Sequence, residues 1–145
     1  DIMLKGIPPI LNPELLQVLR AMGHGDEIAL VDANFPAESA GPPVIRLDGV
    51  MLNDLLDAIL TVLPLDTFVE EQAWGMAVVG DPDKREQTHL DFDALIKKHE
   101  VGMSLSLLER FAFYDHTAKV FAVVQTGERR LYGNIILKKG IIRPS

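Results

Sequence analysis

The sequence predicts an α/β fold with a mainly parallel sheet covered by helices, and three observations carry that prediction. Short runs rich in Ile, Val and Ala alternate along the chain with longer segments of helical periodicity, the order expected of strands joined through helices. The runs at 28–31 and 73–79 are apolar almost without a break, which marks strands buried on both faces. Finally, 145 residues with 48% hydrophobic and 24% charged side chains have the size and composition of one globular core.

Asn12-Pro13-Glu14 opens the first helix, with Asn as N-cap, Pro at the first helical position and an acid in the first turn. Leu15, Leu19 and Met22 recur on one face, Leu16 and Val18 lie beside them, and Gly23 stands where a C′ glycine is expected. The strand at 28–31 ends at Asp32. From 33 to 43, Pro36, Gly41, Pro42 and Pro43 forbid regular structure. A short strand at 44–47 precedes the clearest amphipathic helix, built on Leu52, Leu55, Leu56, Ile59, Leu60 and Leu63 and stopped by Pro64. The strand at 73–79 runs into Gly80-Asp81-Pro82. The charged segment 84–99 is expected to be helical in its second half, on Leu90, Leu95 and Ile96. A strand at 104–108, a helix at 110–119, a β-branched strand at 120–125, a turn at Gly127 and a last strand at 135–137 complete the order. No repeat, low-complexity tract or linker interrupts it, so one domain spanning 3–145 is expected. Asp1 and Ile2 precede Met3 and read as a remnant ahead of the natural start.

Charge and composition narrow the function. With 14 basic against 21 acidic residues the net charge is −7, which argues against nucleic acid or an anionic membrane as partner. No apolar run approaches the ~18 residues of a membrane span, and no signal-peptide pattern opens the chain. There are no cysteines, so disulfides and thiolate metal sites fall away, in keeping with a cytoplasmic location.

The sharpest chemical group is Gly23-His24-Gly25-Asp26-Glu27 with Asp32 at the end of the next strand. In open α/β sheets ligands gather at the carboxyl ends of strands. An imidazole with an ordinary pKa near 6.5 beside carboxylates exchanges protons at neutral pH. His24 follows a helix C-terminus, where the dipole favours its protonated form; the same polarity makes the glycines a poor phosphate cradle. Ile28 breaks any dinucleotide-binding fingerprint. Two other readings stay open: Asp26 and Glu27 as solvated turn residues with His24 capping the helix, or a metal site of His24, Asp26 and Asp32, which no His-x-x-x-His pair supports. His89, His99 and His116 lie in polar surroundings and read as surface residues. Asp81-Pro82-Asp83-Lys84 reads as a solvated turn. Phe111, Phe113 and Phe121 read as core. Arg110 is suited to fork onto a carboxylate or sugar hydroxyls, the alternative being a pair with Glu109 or Asp115. Tyr132-Gly133-Asn134 supplies a phenol, a close-approach glycine and an amide at the head of a strand, an inventory for reading hydroxyl groups. No Gly-x-Ser-x-Gly elbow or Walker motif is present.

Taken together, Gly23-His24-Gly25-Asp26-Glu27, Asp32-Ala33-Asn34-Phe35-Pro36, Arg110-Phe111-Ala112-Phe113-Tyr114, Thr126-Gly127-Glu128-Arg129 and Tyr132-Gly133-Asn134-Ile135 resemble the RbsD/FucU family, its FucU branch above all. The resemblance spans 4–140, weakest at 64–105. It implies a three-layer α/β/α sandwich and a cofactor-independent isomerase that interconverts the α and β anomers of L-fucose or a related monosaccharide. By the same resemblance His24 is the catalytic proton donor and Tyr132 shares proton transfer. Asp26, Asp32, Arg110, Tyr132 and Asn134 contact the sugar, and neither metal nor cofactor is needed. The ribose-type branch carries histidine where Arg110 stands, so Arg110 leans toward fucose. A ring-shaped homo-oligomer, such as a decamer, with the pocket near a subunit interface is also implied. The alternative is a non-catalytic monosaccharide-binding module associated with sugar uptake.

Overall fold

The computed structural model describes residues 3–144, so Asp1, Ile2 and the last residue of the expected domain lie outside the described residues. Helix α1 (Pro13–Ala21) begins as its sequence dictates: Asn12 caps it, its side-chain oxygen accepting the Leu15 N–H at 2.9 Å. It ends differently from expectation. Gly23 takes no left-handed conformation; Met22 closes the helix in an extended one, and the positive φ falls to Gly25, at 89°. The reason is a side chain from far along the chain. Lys139 Nζ donates to the carbonyls of Leu19 and Met22, so the last turn needs no Schellman glycine.

Strands β1 (Glu27–Val31) and β2 (Val44–Leu47) and helix α2 (Leu52–Val62) follow at the expected places. Six α2 residues are buried, among them Leu52, Leu55, Leu56 and Ile59. Each fully buried Leu or Ile contributes about 1.5–3 kcal/mol. Strand β3 (Ala73–Met76) is shorter than predicted. Residues 77–81 leave the sheet in a turn in which Gly80 holds φ 79° and Val78 bridges Asp81.

Helix α3 (Gln87–His99) buries Thr88, His89, Phe92 and Ile96, while Leu90 is exposed. Two expectations are corrected there. Leu90 sits about half a turn from the buried stripe, so helical periodicity carries it to solvent. His89, read as a surface residue, is only 1% exposed. Its Nδ1 accepts the Glu86 N–H and its Nε2 bonds the Met76 carbonyl at 2.8 Å, which requires a neutral ring protonated at Nε2. Burial pushes its pKa down in agreement.

Strand β4 (Ser106–Leu108), helix α4 (Arg110–Thr117) and strands β5 (Ala122–Thr126) and β6 (Ile135–Lys138) complete the fold. Of the three phenylalanines read as core, Phe113 is; Phe111 and Phe121 are exposed, at 60% and 40%.

The sheet order is β2-β5-β1-β6-β3-β4, with β2, β5, β1, β3 and β4 parallel and β6 antiparallel to both its neighbours. A mainly parallel sheet is therefore present. The connection 127–134 holds no helix and is too short for a parallel crossover, so the chain returns in the opposite sense. Alternation along the strands splits the core in two. Ile28, Leu30, Val124, Ile135 and Leu137 face α1, α2 and α3; Ala29, Val31, Val123 and Ile136 face α4 and the 33–43 loop through Phe35 and Phe113. The result is three layers, the second helical layer thinner than the first. No helix among the described residues is long and apolar enough to cross a membrane.

Candidate active site

At the carboxyl end of β1 the chain turns at Asp32, which is 8% exposed. Its backbone N–H donates to Asn134 Oδ1 at 2.8 Å, and its carboxylate accepts the Asn34 N–H at 3.0 Å. Burial raises the Asp32 pKa, against the hydrogen bonds from Asn34 and Asn134 that favour the anion. Asn134 thus clasps the outgoing end of β1 to the incoming end of β6.

Arg110 begins α4. Glu109 is consumed as the N-cap, accepting the Phe111 and Ala112 N–H groups, so the alternative pair with Glu109 is not made. The guanidinium lies 4.6 Å from the Phe111 ring, and Arg110 Nε is buried without a hydrogen-bond partner among the described residues. Tyr132 completes the group. It is the one non-glycine residue with positive φ among those described, at 59°, a conformation costing about 1–2 kcal/mol. Strain of that kind persists where surrounding structure enforces it, often at functional sites. Its phenol oxygen accepts the Val79 N–H at 3.0 Å, which leaves the phenolic proton free to be donated elsewhere. Asp32, Arg110, Tyr132 and Asn134 line one open cavity of about 220 Å³, together with Met76 and Tyr114.

His24 and Asp26 are not there. They precede β1, whose five residues separate the two ends of the strand by about 13 Å at 3.3–3.4 Å per residue. The expected grouping of His24 with Asp26 and Asp32 therefore does not form within one chain. Asp26 instead closes its own turn, accepting the Gly23 N–H at 2.8 Å. Nor does His24 cap α1, because Lys139 does. His24 Nε2 meets Asp66 Oδ1 at 2.9 Å, and the ring lies 5.1 Å from Phe68. Asp66 is 3% exposed and also accepts the Phe68 N–H. Burial acts to raise its pKa, but the Phe68 and His24 hydrogen bonds prevail and hold it below the ordinary value. A neutral His24 donates through Nε2 to this carboxylate and presents Nδ1 outward. His24 is exposed, with 41% of its side chain accessible.

Sequence reasoning missed Asp66, which no local pattern links to a histidine 42 residues away. It also missed the part played by Glu128. That residue was visible only as a member of Thr126-Gly127-Glu128-Arg129, yet it is 4% exposed and its carboxylate gathers the N–H groups of Leu52, Arg129 and Arg130. Among the described residues no cluster of three or more His, Cys, Asp or Glu stands at metal-ligating geometry. What the arrangement offers is a pocket of hydrogen-bonding groups with a free phenolic proton, and, on the opposite edge, an exposed imidazole oriented by a carboxylate.

Known proteins resemble this chain along nearly all of its length. The model of the RbsD / FucU transport protein family matches residues 5–142. The fucose mutarotase of Mus musculus is 51% identical over 97% of this chain and 96% of its own, and that of Homo sapiens 47% identical over the same shares. The crystal structure of the fucose mutarotase from Streptococcus pneumoniae in complex with L-fucose superposes with a TM-score of 0.90 at 42% identity, covering 97% of this chain and 100% of that one.

Proposed function

The chain belongs to the RbsD/FucU family, and from that premise we propose that it is a cofactor-independent mutarotase acting on L-fucose, working in the cytoplasm. The observation that carries the proposal is the convergence of Asp32, Arg110, Tyr132 and Asn134 on one monosaccharide-sized cavity, in a chain about half identical to fucose mutarotases. Buried polar groups awaiting hydroxyl partners discriminate strongly for a ligand that supplies them, and the unpartnered Arg110 Nε marks such a place. Met76, Val79 and Leu131 give the same cavity an apolar wall, a suitable surface for the methyl group of a 6-deoxy sugar.

Mutarotation asks for two proton transfers and nothing else. One proton reaches the ring oxygen as the bond from that oxygen to the anomeric carbon breaks; one leaves the anomeric hydroxyl, which becomes the aldehyde oxygen. Rotation about the adjacent carbon–carbon bond and reversal of both transfers give the other anomer. His24 is the donor in this scheme: protonated on both nitrogens, it keeps Nε2–H on Asp66 and delivers its Nδ1 proton. The proton leaving the anomeric hydroxyl passes through the Tyr132 phenol, which accepts it as it gives up its own to solvent. Each well-placed group of this kind contributes ~10²–10⁴-fold. Because one chain keeps His24 at the end of β1 opposite the pocket, the working site joins the pocket of one copy to the His24 edge of a neighbour. Exposed apolar side chains flank both halves: Phe68 and Val69 near His24, Phe111 and Leu131 beside the pocket. Surfaces of that kind seek partners, in keeping with a ring-shaped homo-oligomer.

Saturation-transfer NMR on the α and β anomers of L-fucose tests the reaction. Wild-type protein is expected to accelerate exchange, and His24→Ala to lose the acceleration by at least about 10²-fold. Sugar binding without any faster exchange, across a panel that includes D-ribose, would mark a binding module instead.

A further inference from the structure

Tyr132 does not hold its left-handed conformation by itself; loop 127–133 holds it, and the loop is built around Glu128. The Glu128 backbone carbonyl accepts the Ala33 N–H at 2.8 Å, tying the loop to the residue after Asp32. Its own N–H donates to Thr126 Oγ1, which in turn donates to the Val31 carbonyl. The side chain folds under the loop. Glu128 Oε2 accepts the N–H groups of Arg129 and Arg130 and the Arg130 Nε–H at 3.1–3.2 Å; Oε1 accepts from Leu52 N and Arg130 Nη2. Above the carboxylate's stem lies Gly133, where an added Cβ would come within 2.8 Å of Glu128 Cγ and 3.4 Å of Asp32 Cβ. Only glycine lets the two layers approach so closely.

Arg130 extends the anchor to the helices. Its Nη1 donates to Asp91 Oδ2 at 2.8 Å and its Nη2 to Asn53 Oδ1 at 3.3 Å, and Asp91 also accepts from Asn53 and Gln87. Between this anchor and the start of β6 stand only Leu131, Tyr132, Gly133 and Asn134. On this geometry we propose that Glu128 and Arg130 are positioning residues for Tyr132: the pair, braced on Asp91 and Asn53, sets the loop so that the phenol stands against Val79 and faces the sugar. Neither residue lines the pocket, and the pair acts through Tyr132. Asp32 and Asn134 are held to each other by their own hydrogen bond, so loss of the pair leaves that part of sugar binding in place.

The proposal rests on the mutarotase assignment, and one of its two tests is independent of that assignment. Glu128→Gln keeps the shape and removes the charge. It is expected to lower kcat for L-fucose exchange about 10- to 100-fold, the scale of a catalytic group misplaced by roughly an ångström, while KM changes less than about threefold. Tyr132→Phe added to Glu128→Gln is expected to cost little more than either change alone. Arg130→Lys, which keeps the charge but not the fork, is expected to fall between wild type and Glu128→Gln. The independent test uses the fact that the chain has two tyrosines, Tyr114 and Tyr132. With ring-labelled tyrosine, assigned through Tyr114→Phe, the Tyr132 resonance is expected to shift or broaden in Glu128→Gln and in Arg130→Lys. An unmoved Tyr132 resonance in folded Arg130→Lys, or full additivity of Glu128→Gln with Tyr132→Phe, overturns the proposal, as does a melting temperature that falls with kcat intact. Should wild type exchange no sugar, the mutarotase assignment fails and the resonance alone decides the positioning role.

Discussion

A proton-transfer residue is only as good as what orients it, and for the proposed donor His24 the contact with Asp66 supplies that orientation. The nearby aspartate that the sequence offered, Asp26, is spent on the Gly23 N–H. Asp66 is nearly buried and bonded to the Phe68 N–H as well as to His24 Nε2, so the carboxylate is itself held in place. A carboxylate in this relation selects the tautomer and stabilises the protonated ring. Asp66→Asn is therefore expected to reduce kcat for anomer exchange roughly 10- to 100-fold with KM little changed. Steady-state exchange rates by NMR at several fucose concentrations check it; unchanged kcat would sever Asp66 from the chemistry. Arg110 teaches the converse. The pair with Glu109 offered by adjacency in sequence is absent because Glu109 caps α4, and the guanidinium is left for the pocket.

Among the elements, the β5–β6 connection carries the most consequence. It is short, returns β6 against its neighbours, and holds both Tyr132 and the Glu128–Arg130 pair, which reaches α3 through Asp91. In the fold Glu128 and Asp91 titrate below their ordinary values of 4.5 and 3.8. At Glu128 burial works against that shift and the hydrogen bonds from Arg130 outweigh it; at Asp91 the Arg130 hydrogen bond is the largest cause. Acids whose pKa is depressed on folding stabilise the protein above their unfolded values, and the contribution is lost as pH falls through the folded values. Urea unfolding midpoints are thus expected to fall as pH drops below about 4.5, with Arg130→Met flattening that slope by removing the shared partner. An equally steep acid slope in Arg130→Met would show that other carboxylates govern it. Asp32, raised by burial, opposes the trend.

For the whole molecule, the decisive fact is that β1 has an end at each half of the proposed site. If catalysis joins His24 of one copy to the pocket of another, two inactive variants complement. Co-expressed in equal amounts, His24→Ala and Arg110→Ala subunits are expected to assemble into mixed rings in which about a quarter of the junctions carry both intact halves. Exchange activity near a quarter of wild type, from preparations inactive separately, is the expected result. No recovery in demonstrably mixed oligomers would place the whole site in one chain.

Most of the framework is legible in the sequence because short-range chemistry writes it. Asn12-Pro13 starts α1, the leucine periodicity makes α2, and apolar runs make the central strands. Spaced motifs around His24, Asp32, Arg110, Tyr132 and Asn134 also carried the family and supply the side chains of both halves of the proposed site. Tertiary structure decided the rest. It chose Lys139 rather than Gly23 to finish α1, buried His89 against Met76, gave His24 to Asp66 and put Glu128 beneath Gly133. Each of these pairs groups that are distant in sequence or depend on how a loop folds, and no local propensity encodes such a pairing. Adjacency along the chain set His24 and Asp32 side by side on the page; an extended strand, rising about 3.3 Å per residue, set them on opposite edges of the molecule.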